Sequence, residues 1–261
     1  MMKKICILLM ISLLLTGCGQ AATKTTEPEA TTEASGDIVT TQEELDTALK
    51  LSSHVILGGD IQLNSYVVLS HTVLSGNGHQ LSAPTYNKED PNTHASIYLV
   101  SGNVENISLI GGNRSMSTDP NHRILGDIRL ANVVSNAHSA LYVGHGDNEH
   151  NLDAVNCEFY GQTVFSRIAK AYFANCTFGY NSEGTQGRVW AYRDARFVNC
   201  RFEGMPDAKF KIIIPKEEIG RTILLENCYV GDTPLTQDNL HELLNVDNQG
   251  SSTIRVVSDG V

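Results

Sequence analysis

The chain has 261 residues, enough for one sizeable domain, and carries 19 basic against 29 acidic side chains for a net charge of −10. That balance argues against nucleic acid as a partner, because a phosphate-binding groove needs a basic surface. Glycine is abundant at 22, aromatics make up 7%, and short apolar runs are flanked by Gly, Asn or Asp. This composition suits an all-β protein with many turns.

The first segment, "MMKKICILLMISLLLTGC", places two Lys before an apolar run from Ile5 to Leu15 and a small-residue exit. The run is too short for a spanning helix and reads as a secretory leader over residues 1–17. Leu15-Thr16-Gly17-Cys18 resembles the lipobox of bacterial lipoproteins. The resemblance implies cleavage before Cys18 and lipidation of its thiol. Such an anchor would hold the protein on the outer, extracytoplasmic face of a bacterial cell membrane without crossing it. Residues 18–37 read as a disordered spacer of Thr, Ala and Glu, and residues 38–261 as the folded domain.

"TTQEELDTALK" puts a Thr cap and a Glu ahead of an amphipathic helix. Short strands follow in "HVILGGDIQLNSYVVLSHTVLSGNGHQL", and then a repeat emerges. "LDAVNCEF", "AYFANCTF", "ARFVNCRF" and "ILLENCYV" share one template, which "VENISL" and "IRLANVVS" fit without Cys. The recurring residues are Asn106, Asn132, Asn156, Asn175, Asn199 and Asn227, spaced by 26, 24, 19, 24 and 28. Alternate positions before each Asn are apolar or small, as in Leu152 and Ala154 or Ala171 and Phe173, and the Asn is expected to continue that inward series. The next inward candidates are Cys157 and Phe159, then Cys176 and Phe178, Cys200 and Phe202, Cys228 and Val230. Faces alternate along a strand, so two consecutive inward residues require a bend, and Asn tolerates the left-handed conformation a bend needs.

A further short run precedes each bend: "ALYVG", "TVFSR", "RVWAY" and "FKIII". Three strands in roughly 24 residues describe one coil of a parallel β-helix. At this point the sequence resembles the pectate-lyase-like superfamily, whose coils carry an asparagine ladder at one bend. The resemblance implies an all-β, single-stranded right-handed parallel β-helix with its N-terminal helix over the first coil. "TQDNLHELL" and "STIRVVS" then read as a short C-terminal helix and a last strand. An antiparallel sandwich, the competing fold, would not keep Asn in phase. The superfamily hosts many activities, so the resemblance implies fold more than function.

Four Cys at regular intervals invite a metal or disulfide reading. Structural metal sites, however, bring Cys in close pairs, and neighbouring coils stack side chains parallel rather than face to face. Cys157, Cys176, Cys200 and Cys228 are therefore expected to be buried thiols, with disulfides between coils the alternative in an exported protein.

Function is sought on the first strand of the coil. If Ile97, Leu99, Leu141, Val143, Val164 and Val189 point in, then Tyr98, Tyr142, Phe165 and Trp190 point out, with Arg167, Arg188 and Tyr192 nearby. A column of exposed aromatics edged by Arg suits the apolar faces and the hydroxyls or carboxylates of sugars. Stacked aromatics on a sheet can equally serve stability alone. "GHGDNEH" gathers His145, Asp147, Glu149 and His150 in one loop, with His138 upstream, but its spacing matches no metal template. His145 in "GHG" followed by Arg167 and Lys170 in "RIAK" partly resembles polygalacturonase-like glycosidases, although the paired catalytic Asp residues are missing. A lyase would use Arg167, Lys170, Arg188 or Arg193 against a uronate carboxylate. The leading reading is a lipid-anchored glycan binder needing no cofactor, with Ca²⁺ left open. A polysaccharide lyase or glycoside hydrolase is the alternative, and a purely structural or adhesive surface protein the second.

Overall fold

Each recurring Asn is a left-handed turn. In the computed structural model φ is 52° at Asn106, 54° at Asn132, 55° at Asn156, 53° at Asn175, 52° at Asn199 and 50° at Asn227. The structure describes residues 36–181, 187–249 and 251–258. The expected leader, Cys18 and nearly all of the spacer lie outside them.

Mainly parallel strands stack in register around the apolar core of a β-solenoid. The first strands of successive coils pair from Val67–Leu69 and Ile97–Leu99 through Arg188–Ala191 and Lys211–Ile214 to Asn245–Asn248. The strands leading into the Asn turns pair likewise from Asp37–Val39 to Thr253–Val257, and those leaving them from Ile61–Gln62 to Tyr229–Val230. Tyr229–Val230 also meets Thr233–Pro234 antiparallel.

The Asn side chains do not continue the inward series. Asn106, Asn132, Asn156, Asn175 and Asn199 are exposed. A left-handed residue swings its side chain to the outer corner of the bend, so the chain returns inward at the following Cys. The corner position places neighbouring amides one strand spacing apart, about 4.8 Å. Asn132 Nδ2 donates to Asn106 Oδ1 at 2.8 Å, Asn156 to Asn132 at 3.3 Å, Asn175 to Asn156 at 3.1 Å and Asn199 to Asn175 at 3.2 Å. Asn77, in "GNG", has the same left-handed turn at φ 51°.

Inside the turn, Phe and Cys form parallel columns. Phe159, Phe178 and Phe202 stack with centroids 5.4 and 5.5 Å apart, and Phe173 lies on Phe197 at 4.9 Å. Burying each such ring contributes about 1.5–3 kcal/mol. The four thiols are free and buried. Burial first, then contact with the Cys176 and Cys228 thiols, pushes the Cys200 thiol up, and contact with Cys176 together with burial does the same at Cys157.

The ends are covered as the sequence leads one to expect. Helix Gln42–Leu51 starts with a complete capping box, in which Thr41 Oγ1 accepts from Glu44 N–H and Glu44 accepts from Thr41 N–H. Its Leu45, Ala48 and Leu49 close the first coil. At the other end Leu235, Leu240 and Leu244 close the core, although the helix there is only Leu240–Leu243. Among the described residues no helix is long and apolar enough to cross a membrane.

Two outcomes follow. Asn175→Ala should destabilise by about 2–4 kcal/mol, from two lost amide bonds plus the left-handed penalty, whereas Asn175→Gly should lose only about half as much; urea unfolding measures both. Cys157, Cys176, Cys200 and Cys228 should resist iodoacetamide in native buffer and react fully in urea, as read by mass spectrometry.

Candidate functional site

The outer column of the first-strand sheet is set by register. Val68 pairs with Tyr98, Tyr98 with Ser117, Ser117 with Tyr142, Tyr142 with Val164, Val164 with Trp190, Trp190 with Ile213 and Ile213 with Asp247. Phe165 is not in it. It pairs with Val143 and Ala191 and is fully buried, so Val164 takes the outward place between Tyr142 and Trp190. The cause is plain alternation along Glu158–Phe165, in which Phe159, Gly161, Thr163 and Phe165 share the inner face. Thr163, opposite Leu141 and Val189, is thus a polar residue in a core position, where the apolar Val164 invites the opposite parity.

Tyr98 holds its expected register but not its expected exposure, since it is only 4% exposed. The segment after Ser117 folds back over it. His122 stacks on the Tyr98 ring at 4.6 Å and 13°, and Tyr66 meets its edge at 4.8 Å. Asp119 pins His122 by accepting from its backbone N–H at 2.7 Å and from its Nδ1 at 3.0 Å. Burial alone would raise the Asp119 carboxyl, but the N–H groups of His122 and Asn121 hold it below the usual carboxylate value. Burial, and then the charge of Asp119, push the Tyr98 phenol up to about 12.

Tyr142, Trp190 and Tyr192 line one groove of about 520 Å³, together with Val164, Arg167 and Glu217. Trp190 and Tyr192 share a face of one chain segment. Their rings stack nearly parallel, 6.4 Å between centroids and 17° between planes, as an aromatic pair on the groove. Tyr142 carries the Arg114 guanidinium 3.9 Å above its ring, while Gly144 leaves room at its edge, where a Cβ would come within 2.7 Å of the ring. Burial, then the charges of Tyr142, Glu217 and Glu218, push the Tyr192 phenol up.

The far wall is the loop between Lys211–Ile214 and Thr222–Glu226. Glu218 holds it in place by accepting from Arg193 at 2.7 Å and from Arg221 at 2.9 Å. The Arg193 and Glu218 side chains are 12% and 16% exposed, so this pair is largely shielded from water. Arg193 also donates to Asn148 Oδ1 at 2.9 Å, which gives "GHGDNEH" a structural task. Glu217 is left exposed at the groove with no ion-pair partner among the described residues, and so is Arg167.

The other expected residues disperse. Arg188 and exposed Lys170 are outside the groove lining. His145 donates its backbone N–H to Thr118 and accepts from Ile124 N–H. Asp147 lies 3.4 Å from His150, and His138 Nε2 lies 3.2 Å from the Gln162 amide. Among the described residues no cluster of three His, Cys, Asp or Glu could hold a metal ion. Arg114, Glu217 and Glu218 were not anticipated. For the two Glu the signal was the 28-residue spacing before Asn227, the longest, whose surplus "PKEEIGR" forms the wall.

The raised Tyr98 phenol has a pH consequence. Its neutral form is favoured in the fold, so its contribution to stability is intact below pH of about 10 and disappears as pH rises toward about 12. Unfolding midpoints measured across that window should fall for the native protein and fall less for Tyr98→Phe.

No family model and no curated protein matches the chain. A solved structure, the SRRP of L. reuteri 53608, is similar at a TM-score of 0.40 and 13% identity, covering 85% of this chain and 98% of that one. At that distance the similarity assigns neither function nor ligand.

Proposed function

We propose that the chain is a binding protein of the bacterial cell surface whose groove takes a polysaccharide or cell-envelope glycan. The observation that carries this is the Trp190–Tyr192 pair, two nearly parallel rings lining the same groove. A pyranose ring offers an apolar face of matching shape, and its hydroxyls suit Arg167, Gln162 and Glu217 at the margin. In this reading the site spans Tyr142, Val164, Trp190 and Tyr192, with Tyr98 supporting the neighbouring coils from beneath His122. Lipidated Cys18 would tether the domain to the membrane through the spacer, and the solenoid would be right-handed, the common hand of crossovers between parallel strands.

Hydrolysis of a glycoside by the usual route needs two carboxylates across the bond. In this groove Glu218 is committed to Arg193 and Arg221, which leaves Glu217 alone. That favours binding over cleavage. Trp190→Ala and Tyr192→Ala should each weaken glycan-array binding about tenfold or more while leaving the unfolding midpoint nearly unchanged. Unsaturated product from a uronate polymer, or new reducing ends, would overturn the binder reading in favour of a lyase or a hydrolase.

A further inference from the structure

We infer that the groove recognises a zwitterionic substituent, an ammonium group and an anionic group a few atoms apart on one ligand. The inference deepens the glycan reading and rests on it, since the glycan would be the carrier of that group.

Three features of the groove point this way. The first is the Trp190–Tyr192 pair. An aromatic face is electron-rich and attracts cations, and ammonium groups stacked on Trp and Tyr are a recurrent mode of recognition. The same sheet already shows the preference, because Arg114 sits 3.9 Å over Tyr142. Among the described residues no cation lies over Trp190 or Tyr192, which leaves this aromatic pair to a ligand's cation.

The second is the charge left over after internal pairing. Glu218 is consumed by Arg193 and Arg221. Arg167 and Glu217 remain, one of each sign, both exposed and both lining the groove. Glu217 is close enough to Tyr192 for its charge to bear on that pair. An ammonium over Trp190 and Tyr192 would therefore meet a carboxylate, while Arg167 offers a guanidinium to the anionic end.

The third is the field of the whole chain. A net charge of −10 disfavours a purely anionic ligand such as a uronate polymer. A purely cationic ligand would leave Arg167 opposed and unanswered. A group with both charges satisfies each side and carries no net penalty from the surrounding field.

The experiment is calorimetric titration of the protein with phosphocholine and phosphoethanolamine, with choline alone and glycerol phosphate alone as single-charge controls. Both zwitterions should bind, and each control should bind about tenfold or more weakly. Trp190→Ala and Glu217→Gln should lose the ammonium preference, and Arg167→Gln should make phosphocholine no better than choline. No binding of either zwitterion, or choline binding the native protein as tightly as phosphocholine, overturns the inference. Retained glycan-array binding in that case leaves the glycan reading standing by itself. The carrier is separated by two further arms: capture of a phosphocholine-substituted soluble polysaccharide supports the glycan as source, and co-sedimentation with phosphatidylcholine vesicles supports a lipid headgroup bound by the same chemistry.

Discussion

The structure depends on one backbone constraint, an Asn held at positive φ at the same bend of successive coils from Asn77 to Asn227. Left-handed conformations are unfavourable for most side chains and comparatively accessible to Asn. Placing Asn at every such bend makes a sharp corner affordable, and the amide that tolerates the corner also bonds to its counterpart in the next coil. Register follows from this. Once the corners are aligned, Phe falls on Phe and Cys on Cys, and the outer column is ordered in the same way.

The fold was legible because its signature is periodic. Asn-Cys in an alternating apolar frame reports both the bend and the return to the core, and the capping box at Thr41 and Glu44 reports where the first coil is closed. The inward placing of Asn was an error of continuing a strand's alternation through a residue that breaks it. Phe165 was misplaced for the opposite reason, since the alternation from Phe159 runs unbroken and puts the polar Thr163, not Val164, in a core position.

The candidate site was only partly legible because half of it lies outside the repeat. Tyr142, Trp190, Tyr192 and Arg167 sit on or beside regular strands and could be placed by parity. The wall bearing Glu217 comes from an insertion, and its position depends on an ion pair between Arg193 and Glu218, 25 residues apart in the chain. The cover over Tyr98 likewise depends on His122 reaching back from a loop, a contact that no period encodes. The solenoid supplies a regular wall, and irregular insertions convert part of it into a groove.

The amide ladder also has a direction. From Asn132 to Asn199 every side chain donates toward the N-terminal coil, and the oxygens of Asn106 to Asn175 accept from the C-terminal side. The amide dipoles therefore add head to tail along the solenoid axis, positive end first, much as peptide dipoles add along a helix. Each bond polarises the next. Among these links the shortest, at 2.8 Å, joins Asn132 to Asn106, at the positive end of that line.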